Sequence, residues 1–305
     1  MNKAVIIDTD PGIDDAVALG IGLFSDQLDV KLITTVAGNV GIKYVTENML
    51  KLLTFWNLKI PVAQGAAGPL LREVKDASDI HGVTGMAGYE FPTPNRSCLL
   101  EESAVEAMHR TLMASAEKMT IIAIGPLTNI ALLLKTHPEV KERIEELVLM
   151  GGALGRGNFG ILSEFNIAID PEAAKIVFES GLSLAGAPLD VGLKALVYPE
   201  DSEKIKDMNQ TGDMMYHLFK KYRCGSFGTG LKMYDSCALA YVLCPEMFEI
   251  KETFVAVETK GEYTSGATII DLNNKLGKEK NCRVCVDVDE NKFKEWFLHA
   301  ISQCK

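Results

Sequence analysis

The chain has 305 residues, of which 47% are hydrophobic and 24% are charged, and its formal net charge is −10. This composition is typical of a globular enzyme and excludes a disordered chain, while the acidic balance argues against nucleic acid as a partner, because nucleic acid requires a positive protein surface. With no apolar run long enough to span a membrane and no secretory signal pattern at the N-terminus, the sequence predicts a cytoplasmic protein whose partners are small molecules.

Predicted strands and helices alternate from the N-terminus to about residue 185. Short apolar runs typical of buried strands occur at Ala4–Ile7, Val30–Val36, Thr120–Ile124, Leu147–Met150 and Leu182–Ala185. Amphipathic segments of helical length lie at Asp15–Phe24, Lys43–Trp56, Ser103–Ala116, Leu127–Leu134 and Pro171–Ser180. This alternation predicts an α/β fold with a mostly parallel central sheet flanked by helices.

The last third of the chain has a different pattern. We predict a long helix over Glu200–Tyr222, a glycine- and serine-rich loop over Gly225–Gly230 and another helix from Asp235. Strand-like runs precede a closing helix at Thr253–Glu258, Ala267–Asp271 and Arg283–Val288. No stretch has the composition of an interdomain linker, so residues 1–305 are expected to form one domain with additional C-terminal helices and strands.

The first predicted strand leads into Asp8-Thr9-Asp10-Pro11-Gly12-Ile13-Asp14-Asp15, so four carboxylates lie within eight positions. Two unit charges ~4 Å apart repel by about 4 kcal/mol at an effective dielectric constant near ~20. Either some acids are protonated or a cation lies among them, and because oxygen donors suit Ca²⁺ or Mg²⁺ we favour the cation. The alternative, that Asp14 or Asp15 only caps the next helix, accounts for a single acid.

The segment DTDPGIDDAVAL, which contains these acids, resembles the N-terminal signature of the inosine–uridine-preferring nucleoside hydrolase family. Further segments similar to that family follow in the expected order: TVAGN at Thr35–Asn39, HGVTGMAG at His81–Gly88, IGPLTNIAL at Ile124–Leu132, LVLMGG at Leu147–Gly152 and EFNIAIDPEAA at Glu164–Ala174. The closest resemblance is to the bacterial non-specific ribonucleoside hydrolases, through VETKGEYTSG near Glu258 and the stretch from Gly225 to Asp235. It implies a Rossmann-like nucleoside hydrolase fold and an enzyme that cleaves purine or pyrimidine ribonucleosides to ribose and free base.

The same resemblance implies a Ca²⁺ site and a general base. In such enzymes Ca²⁺ is bound by the residues that match Asp10, Asp15 and Asp235 and by the backbone carbonyl that matches Ile124, which agrees with oxygen-only ligation. Asp14 matches the general base, which takes a proton from the metal-bound water. Hydrolysis with inversion, through a ribose of oxocarbenium character, is therefore expected.

Separate sets of residues are implied for the ribose and for the base. Asn39, Glu164, Asn166 and the backbone of Met150 match the positions that bind the ribose hydroxyls, and amides beside carboxylates suit a polyol. An aromatic or imidazole group near the base can stack on it or hydrogen-bond to it. The candidates for the base-binding pocket are His81, Phe165 and Tyr222.

Tyr234 departs from the family pattern, because many relatives have a histidine immediately before the last metal-binding aspartate, here Asp235. A phenol with a pKa of about 10 is a poorer proton donor at neutral pH than an imidazolium with a pKa of about 6.5. Two interpretations stay open. Either purine turnover falls more than pyrimidine turnover unless Tyr222 or His81 compensates, or Tyr234 only packs against the base.

Two other functions also stay open. Asp8-Thr9-Asp10 after a strand imitates the motif of a Mg²⁺-dependent phosphohydrolase of the haloacid dehalogenase kind, although the Gly-Thr expected after the second aspartate is missing. The second is a nucleoside-binding protein that has lost catalysis. Asp14 favours the hydrolase, because mere binding gives it no evident role. Relatives are commonly homodimers or homotetramers, and the same is expected here.

Histidines and cysteines outside these motifs are interpreted as structural or surface residues. His109, His137, His217 and His299 lie on predicted helices or helix ends, and the acidic stretch Glu139–Glu146 is interpreted as a solvated helix face and loop. The seven cysteines are scattered, as thiols of a reducing compartment are. Their one close pair lacks the second half of a zinc site.

Overall fold

Strands and helices alternate through most of the computed structural model, which describes residues 2–222, 225–226 and 228–305. The strands are β1 (Lys3–Thr9), β2 (Leu28–Thr35), β3 (Val62–Gln64), β4 (Met119–Ala123), β5 (Ile144–Met150), β6 (Leu184–Ala187), β7 (Leu196–Val197), β8 (Gly225–Ser226), β9 (Gly230–Lys232), β10 (Phe248–Thr253), β11 (Val255–Val257), β12 (Thr268–Ile270) and β13 (Cys282–Val288). The helices are α1 (Ile13–Phe24), α2 (Ile42–Trp56), α3 (Ser78–His81), α4 (Ala104–Ala114), α5 (Thr128–Thr136), α6 (Phe165–Ile169), α7 (Pro171–Phe178), α8 (Leu189–Gly192), α9 (Pro199–Lys206), α10 (Gln210–Phe219), α11 (Tyr234–Leu243) and α12 (Glu290–Ser302). Short 3-10 helices lie at Arg96–Cys98, Pro138–Arg143 and Pro245–Met247.

In the described part of the chain, eight strands form one central sheet in the order β10-β13-β6-β5-β4-β1-β2-β3. Neighbouring strands are parallel, except that β10 is antiparallel to β13. The predicted α/β fold with a mostly parallel central sheet is therefore confirmed. Parallel sheets are covered on both faces, which accounts for the nearly continuous apolar sequences of β1 and β4.

The central sheet separates two hydrophobic clusters. In β1, Val5 and Ile7 belong to one cluster and Ile6 to the other, as the two-residue period of a strand requires. The first cluster is covered by α1, α2, α10, α11 and α12, and the second by α4, α5 and α7. None of the helices in the described ranges combines the length and the apolar character that crossing a membrane demands.

The strand order reverses at β1, which has β2 on one side and β4 on the other. The order β3-β2-β1-β4-β5-β6 is that of a Rossmann-like doubly wound sheet. In such a sheet the connections that leave the two strands at the reversal run in opposite directions, and a crevice opens between them at the carboxyl ends of the strands. A ligand site is therefore expected just beyond β1 and β4.

The predicted helix over Glu200–Tyr222 is wrong, because two helices, α9 and α10, occupy this segment. α9 ends at Lys206, and the side chain of Asn209 caps α10 by accepting a hydrogen bond from the backbone N–H of Gly212 at 2.8 Å. An asparagine side chain that satisfies a free backbone N–H in this way favours a helix start over a helix interior. The polar–apolar pattern continues across the break and conceals it.

The C-terminal strands also differ from the prediction. The run predicted over Thr253–Glu258 is divided, since β10 ends at Thr253 on the antiparallel edge of the central sheet, whereas β11 pairs with β12 in a separate two-stranded sheet. The predicted loop Gly225–Gly230 lies partly outside the described residues. Its described ends belong to β8 and β9, which pair antiparallel.

Candidate active site

The acidic segment lies at the reversal of the strand order. β1 and β4 are adjacent and parallel, with Asp8 aligned with Ala123, and the backbone N–H of Ile124 donates to the carbonyl oxygen of Asp8 at 2.8 Å. Asp10 and Ile124 therefore follow neighbouring strands at the carboxyl edge of the sheet. This is the position at which a doubly wound sheet binds its ligand.

A cavity of about 510 Å³, a size that suits a small-molecule ligand, opens at this edge. Most of the predicted site residues line it: Asp14, Asn39, His81, Ile124, Met150, Glu164, Phe165, Asn166, Tyr222, Tyr234 and Asp235. Asp10 and Asp15 do not line the cavity themselves. Both are buried, and both accept a hydrogen bond from Asn39, which does line it. The fold thus brings every predicted site residue to one place.

Three of the acids converge on one point. The nearest carboxylate oxygens of Asp14, Asp15 and Asp235 all lie within 4.8 Å of one another, and all three side chains are buried. Asp14 and Asp15 are in the first turn of α1, and Asp235 is in the first turn of α11. Helix N-termini favour nearby anions, but the partial positive charge of two helix ends amounts to only about one elementary charge. Three carboxylates therefore need a further positive group.

Asp15 both caps α1 and faces the other acids. Its Oδ2 accepts hydrogen bonds from the backbone N–H of Gly12 at 2.9 Å and from Asn39 Nδ2 at 2.8 Å. Its Oδ1 accepts a hydrogen bond from the Thr9 hydroxyl at 2.6 Å. The capping interpretation is therefore correct for Asp15, but it leaves the other acids of the group unexplained.

Asp10 has one bonded carboxylate oxygen and one unpaired oxygen. Oδ2 accepts a hydrogen bond from the backbone N–H of Asn39 at 2.7 Å, whereas Oδ1 is buried with no hydrogen-bond partner among the residues described. Gly38 and Gly125 leave the space for this carboxylate, because a Cβ atom at these positions would lie 2.1 and 2.6 Å from its oxygens. Since an unpaired buried polar atom is costly, Oδ1 indicates a ligand position.

Burial raises the pKa of Asp10, Asp14, Asp15 and Asp235, and repulsion from neighbouring carboxylates adds to this rise for Asp10, Asp15 and Asp235. Burial raises the pKa of Asp14 to about 6, and burial together with the charge of Asp14 raises the pKa of Asp15 to about 6. The pKa values of Asp10 and Asp235 lie well above their usual range, first through burial and then through the neighbouring carboxylates. His81, 4.0 Å from Asp14, is the one basic side chain that pairs with them in the described part of the chain, and burial lowers its pKa to about 4. No cationic side chain of the described residues therefore compensates these carboxylates, which need either protons or a bound cation.

The donor set fits a hard divalent cation. All donors are oxygens, and Oδ1 of Asp10 and Oδ1 of Asp14 are buried without hydrogen-bond partners within the described ranges. A set of several carboxylate oxygens suits Ca²⁺ or Mg²⁺, whereas Zn²⁺ prefers nitrogen and sulfur donors. One difference from the sequence expectation is that Asp14, and not Asp10, forms the mutually close group with Asp15 and Asp235.

The residues predicted to bind ribose are fixed by backbone groups. Asn166 Nδ2 donates to the carbonyl oxygens of Ile124 at 3.0 Å and of Met150 at 3.1 Å. Glu164 precedes α6, and its carboxylate accepts hydrogen bonds from three backbone N–H groups; burial raises its pKa to about 7. A carbonyl oxygen has two lone pairs, so the hydrogen bond from Asn166 leaves one on Ile124 for another ligand.

His81 is held against the first turn of α1. Its Nδ1 accepts a hydrogen bond from the backbone N–H of Ile13 at 3.1 Å, so we assign the proton of the neutral ring to Nε2. The ring of Tyr222 lies 5.6 Å from the ring of His81, and the Tyr222 hydroxyl is shared between the Asp14 carboxylate and the carbonyl oxygen of Lys232, which is 3.2 Å away. His81 can therefore donate a hydrogen bond in the cavity, but it is not an imidazolium acid at neutral pH.

Tyr234 is the first residue of α11, and its ring is buried along the cavity wall. A Cβ atom at Gly192 would lie 2.1 Å from the Cδ1 atom of this ring. A glycine at position 192 is therefore required for the ring to occupy this place. The absence of a side chain at Gly192 in α8 thus provides the space for the Tyr234 ring, which replaces the expected histidine.

The comparisons with known proteins agree on one family. The family model described as inosine-uridine preferring nucleoside hydrolase matches residues 5–295. The chain belongs to this family. A non-specific ribonucleoside hydrolase, RihC, of Salmonella paratyphi C is 51% identical over 298 residues, which cover 98% of this chain and 97% of that protein. The RihC of Salmonella typhimurium is 50% identical over the same length.

Solved nucleoside hydrolases have the same architecture. A purine-preferring ribonucleoside hydrolase from Gardnerella vaginalis has a TM-score of 0.91 at 29% identity and covers 98% of both chains. An inosine-guanosine nucleoside hydrolase has a TM-score of 0.92 at 28% identity and covers 100% of both. The fold, the family and the relatives together identify a ribonucleoside hydrolase, an enzyme that acts on N-glycosidic bonds.

The cavity of this nucleoside hydrolase also contains residues that the sequence analysis did not identify. They are Asp76, Ala77, Asp79, Ile80, Asn158, Phe159 and Lys232. Asn158 is fixed by accepting a hydrogen bond from the backbone N–H of Phe165 at 2.9 Å. Most of these residues lie in loops, where no hydrophobic period exists to mark them, and the sequence around Asn158, GRGNFG, indicates only a turn.

Asp8, the first acid of the motif, is not part of the acid group that faces the cavity. Its Oδ1 accepts hydrogen bonds from the Thr34 hydroxyl at 2.5 Å and from Asn129 Nδ2 at 2.8 Å. Asp8 lies within β1, whereas Asp10 follows the last residue of that strand. Asp8 therefore connects β1 to β2 and to α5.

Proposed function

We propose that this nucleoside hydrolase uses bound Ca²⁺ to cleave the N-glycosidic bond of both purine and pyrimidine ribonucleosides. The observation that carries the proposal is the group of buried, uncompensated carboxylates beside a cavity of about 510 Å³. The proposed ligands are Asp10, Asp15, Asp235 and the carbonyl oxygen of Ile124. Ca²⁺ is favoured over Mg²⁺ because it accepts carboxylates in irregular geometry, whereas Mg²⁺ demands a near-ideal octahedron. The name of the Salmonella relative, non-specific, supports the broad substrate range.

When bound, the cation would neutralise the acids and orient both the attacking water and the ribose hydroxyls. Asn39 supports this arrangement directly, because its backbone N–H holds Asp10 and its side-chain amide holds Asp15. Its remaining amide oxygen is then available as an acceptor for a ribose hydroxyl. Asn39 therefore has two proposed roles, in positioning the acids and in binding the sugar.

Asp14 is the proposed general base. It lines the cavity, its Oδ1 is buried without a hydrogen-bond partner among the described residues, and the Tyr222 hydroxyl holds the carboxylate in place. Without the cation, burial raises the pKa of Asp14 to about 6, so burial makes this carboxylate a stronger base than an ordinary aspartate. It accepts a proton from water as the water oxygen bonds to the anomeric carbon and the bond to the base breaks on the opposite face, which inverts the configuration.

The departing base takes the bonding electrons and needs a proton or a hydrogen bond. His81, with its proton on Nε2, is placed to hydrogen-bond to the base, and Phe165 and Tyr222 provide aromatic surface. Tyr234 lies where a histidine would be the stronger acid at neutral pH. Carboxylates around the ring stabilise the positive charge that develops on the ribose. The weak acidity of Tyr234 is therefore expected to limit purine turnover more than pyrimidine turnover.

Replacing Tyr234 with histidine is expected to raise kcat for inosine relative to uridine, toward the roughly 10²-fold that general acids supply at the low end. The smaller ring fits the space beside Gly192. Steady-state rates for both nucleosides measure the ratio, and Tyr234→Phe serves as the control because it keeps the ring and removes only the hydroxyl. An unchanged ratio in Tyr234→His would assign the residue to packing alone.

A reducing-sugar assay across the common ribonucleosides tests the proposed function as a whole. We expect free ribose from purine and pyrimidine nucleosides, loss of activity with a chelator, and recovery on adding Ca²⁺ but not Mg²⁺. A nucleoside-binding protein that has lost catalysis would bind uridine and release neither ribose nor uracil. Recovery with Mg²⁺ alone would instead contradict the assignment of the cation.

Two further properties belong to the proposal. We place the enzyme in the cytoplasm, which is supported by free thiols at all six cysteines in the described part of the chain. We also expect a homodimer or homotetramer, as is common among relatives. Sedimentation of the purified chain measures the second property directly.

A further inference from the structure

A second group of metal-ligating side chains lies outside the active site. His109 Nε2 is 3.1 Å from Oε1 of Glu139, and His137 Nδ1 is 3.4 Å from the same oxygen. One ligand atom from each of the three residues lies within 4.8 Å of the others. We propose that this His109–His137–Glu139 cluster is a Zn²⁺ site that links α4 to the end of α5.

The separations in the cluster match those of a tetrahedral zinc site. Zn²⁺ binds histidine nitrogen and carboxylate oxygen at about 2.0–2.2 Å, which puts two tetrahedral ligands about 3.4 Å apart. The nitrogen–oxygen distances of 3.1 and 3.4 Å are close to this value. Two imidazoles and one carboxylate are also a ligand set that zinc accepts, with water completing the tetrahedron.

The two rings lie close together, and they would have to turn from their present arrangement to bind one ion. The rings of His109 and His137 are stacked, with centroids 3.9 Å apart and planes at 15°. Both side chains are about one-third exposed, at 33% and 31%, so a rotation about the Cβ–Cγ bond can turn each nitrogen lone pair toward one ion. Glu139 is the half-exposed member of the cluster and leaves a path for the ion to enter.

Local structure accounts for how residues far apart in sequence meet here. His109 lies on α4, whose buried face is formed by Ala104, Ala107, Met108 and Leu112. α5 ends at Thr136, and His137 leaves the helical region, with φ −134° and ψ 65°, because the residue before a proline avoids helical dihedrals. Pro138 then begins the 3-10 helix that contains Glu139. The turn after α5 thereby presents its histidine to the flank of α4.

The protein supplies three ligands, because the carboxylate of Glu106, the acid on α4, already accepts other hydrogen bonds. Glu106 lies one turn before His109, and its Oε2 accepts hydrogen bonds from the backbone N–H and the hydroxyl of Ser103 at 3.0 and 2.9 Å. This capping box fixes the carboxylate at the helix start. The fourth position is therefore left for water.

The cluster is remote from the acid group of the active site. α5 follows β4 and leads back to the start of β5, so its last turn lies toward the edge at which the strands begin. The catalytic acids lie at the other edge, where β1 ends. Zinc bound at the cluster is therefore expected to stabilise the packing of α4 against α5 without taking part in hydrolysis.

Zinc titration of the full chain, saturated with Ca²⁺ to occupy the acid group, tests this proposal. We expect wild type to bind one more equivalent of Zn²⁺ than the double variant His109→Ala/His137→Ala, and to show a Zn²⁺-dependent rise in Tm that the variant lacks. The matched control is His217→Ala/His299→Ala, which removes two histidines elsewhere on the surface and should bind zinc like wild type.

Two further measurements keep the outcome clear. Glu139→Gln, which preserves size and removes the negative charge, should weaken zinc binding, and ribonucleoside hydrolysis with Ca²⁺ should be unchanged in every variant. Unchanged hydrolysis shows that the variants are folded. Equal zinc stoichiometry in wild type and in folded His109→Ala/His137→Ala would overturn the proposal and leave the cluster as a hydrogen-bonded surface group.

Discussion

Replacing Asp14 with asparagine is expected to lower kcat for uridine and inosine by about 10²–10⁴-fold with little change in KM, because the variant loses a general base and keeps the shape of the site. The amide can still hydrogen-bond to the Tyr222 hydroxyl, but it cannot accept a proton from water. Initial rates at saturating Ca²⁺, over a range of nucleoside concentrations, separate the two constants.

The proximity of Asp14 to Asp15 and Asp235 raises a second explanation for the same loss, namely a weaker cation site. Bound Ca²⁺ per chain is therefore measured in parallel with the rates. If Asp14 acts as the base, the variant stays inactive at full Ca²⁺ occupancy. Recovery of the rate at high Ca²⁺ would mean that Asp14 mainly binds the ion, and full turnover at ordinary Ca²⁺ would reject both roles.

A matched control is available in the same cavity. Asp76 also lines it, is exposed, and accepts a hydrogen bond from the backbone N–H of Ser78 at 3.1 Å, which an asparagine oxygen can also accept. Asp76→Asn makes the same chemical change without touching the acid group. Its kcat and KM are expected to stay near those of wild type, so a loss specific to Asp14→Asn reflects position and not the removal of one charge.

The acid group was predictable from sequence because most of its members are local. Asp10, Asp14 and Asp15 are fixed relative to one another by a single strand-to-helix turn, and repulsion between them favours either protonation or a bound cation whatever the rest of the fold does. The sequence did not reveal which of them would be closest to Asp235. That depends on how α11 packs against α1, an interaction between segments more than two hundred residues apart.

Residues whose roles depend on tertiary contacts were harder to predict. The hydrogen bond from the Ile13 N–H that fixes the His81 proton crosses 68 positions of sequence. Asn158 has no periodic pattern around it, and Asn209 interrupts a helical pattern that continues on both sides. His109 and His137 were interpreted as structural or surface residues because they lie on separate predicted helices or helix ends outside the motifs, and only the packing of α4 against α5 brings them together.

Replacing Asp235 with asparagine is expected to give a variant that is more stable than wild type without Ca²⁺ and less stable than wild type with Ca²⁺. Without the cation, Asp235 is either ionised among Asp10, Asp14 and Asp15 or protonated at a cost in free energy, so removing its charge should raise Tm. With Ca²⁺ present, wild type gains the binding energy of the ion, about 2.7 kcal/mol at one hundred times Kd. The variant, which lacks one ligand, should gain much less.

Thermal unfolding of wild type and Asp235→Asn, each with chelator and with Ca²⁺, measures this reversal in the order of Tm. Since 1 kcal/mol shifts Tm by about 2–4 °C in chains of 150–250 residues, and by less in a longer chain, Ca²⁺ is expected to raise the Tm of wild type by about 5 °C. Asp213→Asn is the matched control, because Asp213 is also in the first turn of a helix but is partly exposed and outside the site. It should shift Tm equally in both conditions. If Asp235→Asn does the same, Asp235 does not bind the ion, and the buried carboxylates must be stabilised by protonation alone.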